Sequence, residues 1–365
     1  MDRRRIAHVA AGLAVVCLLI LQTACQSAGG STGAAGAASP PNSAAATPFA
    51  SDGATAIAGI VTSDAISATV TKRDQAQCGH SVRHLTDATG TVVTLSSEPK
   101  RVVVVQPSFA DEFGLIGIRP IGIGDDNDPN LIIPEITAHL GTYTSIGLRQ
   151  TPSVAIIDSL HPDLIVSDVV DNVAIETQLR NIAPTLALFS DHTDYQQNLD
   201  SAQIIAAAVN KCPSMQKVLA QHARAMAAIR AEIPKKDHKR TFVVALSNKK
   251  NVSIFNYQQY ATSVISSLGL KAAATGPEFQ SGDAHGTSME TLATLNPEII
   301  FNANENNAPS SLLDTWKATQ LWQAMAAPKS HNVYLVDQHA WSLMRGITAS
   351  QVIGQQAVQF LKQGQ

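Results

Sequence analysis

From residue 101 onward, short apolar runs alternate with stretches of helical periodicity. Residues 101–106 form a continuous β-branched run, the pattern of a strand buried on both faces. Residues 121–123, 164–167 and 185–189 are similar runs, and residues 109–116 and 154–160 between them have helical spacing. A second series opens at residues 241–247 and continues through 299–302 and 333–336. Strands alternating with helices predict parallel sheets with covering helices. Between the two series, Met215, Val218, Leu219, His222, Met226, Ile229 and Ile233 recur at helical spacing and form one largely apolar stripe. Pro213 suits the first turn of that helix, and Pro234 ends it. Such a helix runs roughly 30 Å, enough to span a small domain and brace two lobes.

An internal repeat supports two equivalent lobes. Residues 153–165 align with residues 288–300 at one constant offset, pairing Leu160 with Leu295, Pro162 with Pro297 and Asp163 with Glu298. In each copy a short helix ends at the proline and a buried strand follows. The predicted fold is α/β, with two Rossmann-like lobes joined by a long rigid α-helix. The expected organisation is a signal peptide over 1–24, a tether over 25–80, an N-terminal lobe over 81–194, a helical region with the linking helix over 195–233, and a C-terminal lobe over 234–365.

Composition narrows the class. The 365 residues suffice for two lobes and a tail, and 45% are hydrophobic, enough for a sizeable core. The net charge of −3 lacks the basic excess of a nucleic-acid surface, so no nucleic-acid partner is expected. Arg3, Arg4 and Arg5 followed by an apolar run over 6–21 read as an export signal. That run is shorter than the roughly 20 residues a membrane span needs. Residues 21–25 (LQTAC) resemble the lipobox of bacterial lipoproteins, although Gln22 stands where those proteins usually carry an aliphatic residue. The resemblance makes Cys25 the lipid acceptor and the link to a membrane surface. Residues 26–58 are Ala, Gly, Ser, Thr and Pro with almost no large apolar side chain, which predicts a flexible tether.

Of the four cysteines, Cys17 lies in the signal and Cys25 takes the lipid, leaving Cys78 and Cys212. In an oxidising compartment these are either one disulfide or two separate thiols. Enzymatic signatures are missing: there is no HExxH, CxxC pair or P-loop, and no enzyme is expected. The GxSxG match at 29–33 lacks the strand before and the helix after that a nucleophile elbow requires. Asp125, Asp126, Asn127 and Asp128 look like a calcium loop, but Leu131 and Thr137 stand where the turn glycine and closing glutamate belong. They are read as a solvated turn, and no metal site is expected.

Residues 97–104 (SEPKRVVV) resemble the first strand of the iron-siderophore and cobalamin periplasmic-binding proteins. Residues 115–123, 160–167, 182–185 and 296–301 recur in that family in the same order, so the resemblance runs from about Val82 to the C-terminus. The lipoprotein signal is similar to that of the ferric-citrate/siderophore type. The resemblance implies two lobes of the helical-backbone metal-receptor kind, a ligand in the cleft between them, little backbone motion on binding, and delivery to a membrane ABC importer. A monomer is expected.

Ligands of such folds favour interdomain clefts and the loops at the carboxyl ends of parallel strands. A large, often anionic chelate calls for arginine forks and aromatic faces. Those loops offer Gln106, Ser108 and Phe109 after the first strand, Asp168 after its strand, and Asn248, Tyr257 and Tyr260 in the second lobe. They also offer Asn304 and Glu305 after the repeat, and Trp341 and Arg345 after the last strand. Arg149 matches a ligand-contacting arginine of hydroxamate-siderophore members. The family also implies a docking glutamate on each lobe; Glu290 fills the second position, Ala155 departs from the first, and Asp158 lies one turn on. The leading expectation is a ferric-siderophore carrier. The rivals are a haem carrier, with Tyr257, Tyr260, His285, His339 or Met344 as axial candidates, and an envelope adaptor lipoprotein that has lost transport.

Overall fold

The computed structural model describes residues 78–276 and 286–363. Cys25 and the signal, nearly all of the tether, and His285 lie outside the described residues. The chain first forms a two-stranded antiparallel hairpin, β1 (Arg83–Thr86) and β2 (Val92–Leu95). Its side chains alternate buried and exposed, as on a sheet with one wet face. The sequence reading assigned no strand here.

Val102, Val103 and Val104 are all buried and form β3 (Val102–Val104), the centre of a five-stranded parallel sheet. The other members are β4 (Gly122–Ile123), β5 (Thr144–Ser145), β6 (Leu164–Asp168) and β7 (Thr185–Leu188), in the order β5-β4-β3-β6-β7. Helices α1 (Pro107–Leu115), α2 (Pro134–Leu140), α3 (Val154–Ser159) and α4 (Glu176–Ile182) connect these strands. Two helices follow: α5 (Tyr195–Ala208), with a capping box between Asp194 and Gln197, and α6 (Cys212–Glu232).

The second lobe opens with β8 (Thr241–Ser247), β9 (Val252–Phe255), α7 (Tyr260–Ser267) and β10 (Lys271–Ala272). After the undescribed residues 277–285 come α8 (Met289–Leu295), β11 (Ile299–Asn304), the short helices α9 (Leu312–Trp316), α10 (Gln320–Ala324) and α11 (Ala326–Lys329), and β12 (Val333–Val336). The strand order is β10-β8-β11-β12, all parallel, with β9 antiparallel on β8.

The repeat has a physical basis. Ser153 caps α3 by accepting from the Ile156 N–H, and Ser288 caps α8 by accepting from the Thr291 N–H. Asp163 then accepts the backbone N–H of Lys100 and Arg101, both at 2.8 Å, ahead of β3. Glu298 accepts the N–H of Thr241, also at 2.8 Å, at the start of β8. In both lobes the acid after the proline pins the neighbouring central strand, so β3 pairs with β6 as β8 pairs with β11.

The predicted stripe is the buried face of α6: Met215, Leu219, His222, Met226 and Ile229 are all buried, and Ile233 just beyond its end is as well. The helix does not act alone. The final helix, α12 (Ile347–Gln363), packs along it and also touches α1 and α2 of the first lobe. Asp111 of α1 accepts from the Thr348 N–H (2.9 Å) and Thr348 Oγ1 (2.7 Å). Assigning everything beyond residue 234 to the C-terminal lobe therefore misses that the chain returns to brace the first. Cys78 and Cys212 are joined by a disulfide that ties the segment before β1 to the first turn of α6. No helix among the described residues is long and apolar enough to cross a membrane.

Candidate functional site

A cleft of about 640 Å³ opens between the two lobes. From the first lobe it is lined by loops after β4, β5 and β7, and from the second by the start of α7 and the turns after β11 and β12. Most of these loops leave the carboxyl ends of parallel strands, where ligands of open α/β sheets bind.

Arg149 lines the cleft and is 8% exposed. Its Nε and Nη2 donate to Asp126 Oδ2 at 3.0 and 2.9 Å, and its backbone N–H donates to Asp126 Oδ1 at 2.8 Å. The loop that presents Asp126 is built rather than loose. Asp126 and Asn127 adopt positive φ of 56° and 58°. The buried Asp125 accepts from the Asn127 N–H, from Tyr143 Oη and, through a very short bond, from Ser145 Oγ. Burial and the Asp125 carboxylate push the Tyr143 phenol up to about 12. Reading 125–128 as a solvated turn was therefore wrong for Asp125 and Asp126, because an acidic run looks the same whether it faces water or an arginine.

Arg345 enters from the other lobe and meets Asp191 across the cleft at 2.5 Å. Burial raises the Asp191 carboxyl, but Arg345, His192 and Arg149 outweigh it and hold the group below the usual carboxylate range. Behind it, Asp168 is fully buried and accepts four backbone N–H groups: Val170 at 2.7 Å, Asp171 at 2.8 Å, Ser190 at 2.9 Å and Asp191 at 2.8 Å. Burial nonetheless raises its pKa. Asn172 accepts from the Asp168 N–H and donates to the Arg149 carbonyl, both at 2.9 Å. Asp168 thus staples the loops that carry Asp191 and Arg149 instead of facing the cleft. Nearby Asp171 is pushed up to about 6 by burial, then by Asp191 and Asp168.

In the second lobe, Tyr260 and Trp341 supply aromatic walls. The Tyr260 hydroxyl donates to the Gly346 carbonyl through a very short bond, and burial drives its pKa upward. Trp341 Nε1 donates to Gln356 Oε1 at 2.6 Å, and its ring lies 5.0 Å from that of Phe301. Glu305 lines the cleft and accepts from Asn248 Nδ2 at 2.8 Å.

Of the residues expected at the ligand, Arg149, Tyr260, Glu305, Trp341 and Arg345 line the cleft, whereas Gln106, Ser108, Phe109, Asp168, Asn248, Asn304 and Tyr257 do not. Gln106 donates to Asp171 at 3.0 Å, Ser108 bonds Ser190 at 2.6 Å, and Phe109 is core. The cause is local: α1 begins at Pro107, directly after Gln106, so the chain turns into the core at once. Asn304 is buried against Ser247, Asn302 and the Ala308 carbonyl, and Tyr257 is exposed away from the cleft. Among the haem candidates, Met344 is core, and of the described ones only Tyr260 and His339 reach the cleft. Sequence reasoning missed Asp126, Asp191, His192 and Gln338 at the cleft. Extending the strand-end rule to β7 would have found Asp191 and His192. The docking candidates Asp158 on α3 and Glu290 on α8 are both exposed.

Comparison with known proteins agrees with this architecture. The chain is 35% identical over 260 residues to the Fe(3+)-citrate-binding protein YfmC of Bacillus subtilis, covering 71% of this chain and 79% of that one. It is 35% identical over 267 residues to the Fe(3+) dicitrate-binding periplasmic protein FecB of Escherichia coli, covering 73% and 86%. The structure of Staphylococcus aureus SirA complexed with staphyloferrin B superposes with a TM-score of 0.65 at 21% identity, covering 76% of this chain and 98% of SirA. Residues 102–340 match the profile of the periplasmic binding proteins. With two parallel sheets, a helical brace and an interlobe cleft on top of that match, the chain belongs to the periplasmic binding protein family.

Proposed function

We propose that this protein captures iron as a ferric siderophore or related ferric chelate in the interlobe cleft and hands it to an ABC importer. The observation that carries this is the cleft itself: about 640 Å³, with one arginine from each lobe and the aromatic walls of Tyr260 and Trp341. That volume suits a small-molecule ligand, and the arginines suit the oxygen donors of an iron chelate. Iron arrives as cargo within its chelator. The relatives' printed ligands, Fe(3+)-citrate and Fe(3+) dicitrate, support ferric chelates as the general class without fixing the charge of the complex this cleft takes. Cys25 serves as the lipidated anchor, and Glu290 with Asp158 forms the surface that meets the permease. Of the two haem candidates that reach the cleft, the Tyr260 hydroxyl is already engaged by Gly346 and is raised away from the ionised form that would bind iron, which leaves His339 alone.

Titration with a panel of ferric chelates tests this. Trp341 lines the cleft, so its emission should be quenched saturably by at least one ferric complex and not by the iron-free chelator at equal concentration. Absence of saturable binding across citrate, hydroxamate and catecholate complexes would refute the proposal.

A further inference from the structure

The charges around the cleft constrain which ferric complex it takes, an inference that rests on the function proposed above. The cleft lining carries two cationic side chains, Arg149 and Arg345, and four carboxylates, Asp126, Asp128, Asp191 and Glu305. These six side chains leave a formal balance of −2. Both arginines are already engaged, Arg149 by Asp126 at 2.9 Å and Arg345 by Asp191 at 2.5 Å. Neither aspartate is free to swing away cheaply. Asp126 also accepts the Arg149 backbone N–H, and Asp191 accepts the His192 N–H at 2.8 Å while its own N–H is held by Asp168. A ligand carboxylate reaching either guanidinium would meet an aspartate that stays in the cleft, and like charges at short range repel.

We propose that the cleft selects ferric chelates of zero or positive net charge and disfavours polyanionic ones such as ferric dicitrate, with Asp191 as the principal discriminating residue. Asp191 holds that place because it bridges the lobes and neutralises the cationic group of the opposite wall. What remains for the ligand on that group is Arg345 Nη1, buried and without a hydrogen-bond partner among the described residues. A single neutral oxygen acceptor satisfies it. Trp341 and Tyr260, almost wholly buried behind the cleft, add an apolar wall that favours a neutral body over an anionic one.

The test uses calorimetric titration at fixed ionic strength with three probes: a neutral ferric trihydroxamate, a monocationic ferric trihydroxamate bearing a free ammonium, and ferric dicitrate. The expected result is that at least one trihydroxamate binds ten or more times tighter than ferric dicitrate. In D191N, ferric dicitrate should gain at least threefold relative to the neutral probe. Glu305→Gln, on the opposite wall, should shift the ratio in the same direction, and thermal melts establish that each variant is folded. Ferric dicitrate binding tightest, or an unchanged ratio in both folded variants, overturns the charge selection while leaving ferric-chelate capture standing. If none of the three probes binds and catecholate complexes also fail, the functional proposal itself falls, and the charge inference with it.

Discussion

Acidification should loosen the helical brace through His222. The ring is 1% exposed on α6, with Nε2 against Tyr195 Oη and Nδ1 facing Gln351 Nε2 of α12 at 2.9 Å. An added proton would set a second imidazole N–H among partners arranged for the neutral ring. Burial accordingly holds the pKa down at about 3, against an ordinary value near 6.5. A depressed histidine pKa means that below pH 6.5 the unfolded chain binds a proton the folded one refuses, so stability falls as pH drops toward 3. Between pH 7 and pH 5 this amounts to about 2 kcal/mol. Asp171, raised to about 6, acts oppositely, since the folded state takes up its proton first and gains as pH falls from about 6 toward the unfolded value. The difference between the protein and H222Q isolates the histidine, because Asp171 is common to both. Urea unfolding of both at pH 7 and pH 5 should show the parent losing about 2 kcal/mol more than the variant. Parallel losses, within about 0.5 kcal/mol, would mean that the ring is not held neutral by its surroundings.

Arg149→Ala removes a charge-assisted hydrogen-bonding group worth about 1.5–3 kcal/mol and leaves Asp126 unpaired, so affinity for an anionic complex such as ferric dicitrate should drop roughly tenfold to a hundredfold; unchanged affinity by fluorescence titration would remove it from the site. Cys78→Ser opens a loop with a sequence separation of 134 and should cost up to about 5 kcal/mol in guanidinium unfolding, a loss that reducing the parent should reproduce. Glu290→Ala, at an exposed position on α8, should leave chelate binding intact while lowering iron uptake by cells that depend on this protein; equal uptake would argue against docking there.

Much of the frame was legible in the sequence because it is written in local periodicity. Residues 241–247 and 333–336 became β8 and β12 with the same bounds, and the stripe from Met215 to Ile233 became the buried face of α6. The repeat was legible because Asp163 and Glu298 do one job twice, pinning a central strand. Strands of two residues such as β5 and β10 carry no periodicity and exist only because a neighbouring strand pairs with them. At the site, the strand-end rule located the right loops but not the direction each side chain takes. Ser108 and Phe109 sit just past β3, yet a helix that starts at Pro107 turns them inward. Asp126 and Asp191 were missed because their role depends on arginines 23 residues away and in the opposite lobe respectively.

The grip of Asp111 on the start of α12 bears on how the molecule comes apart. A tie rod that leaves the second half and seats in the first prevents either half from melting while the other stands. Heating should therefore give one calorimetric peak, and clipping the chain shortly after Arg345 should destroy chelate capture as thoroughly as damage to the cleft walls.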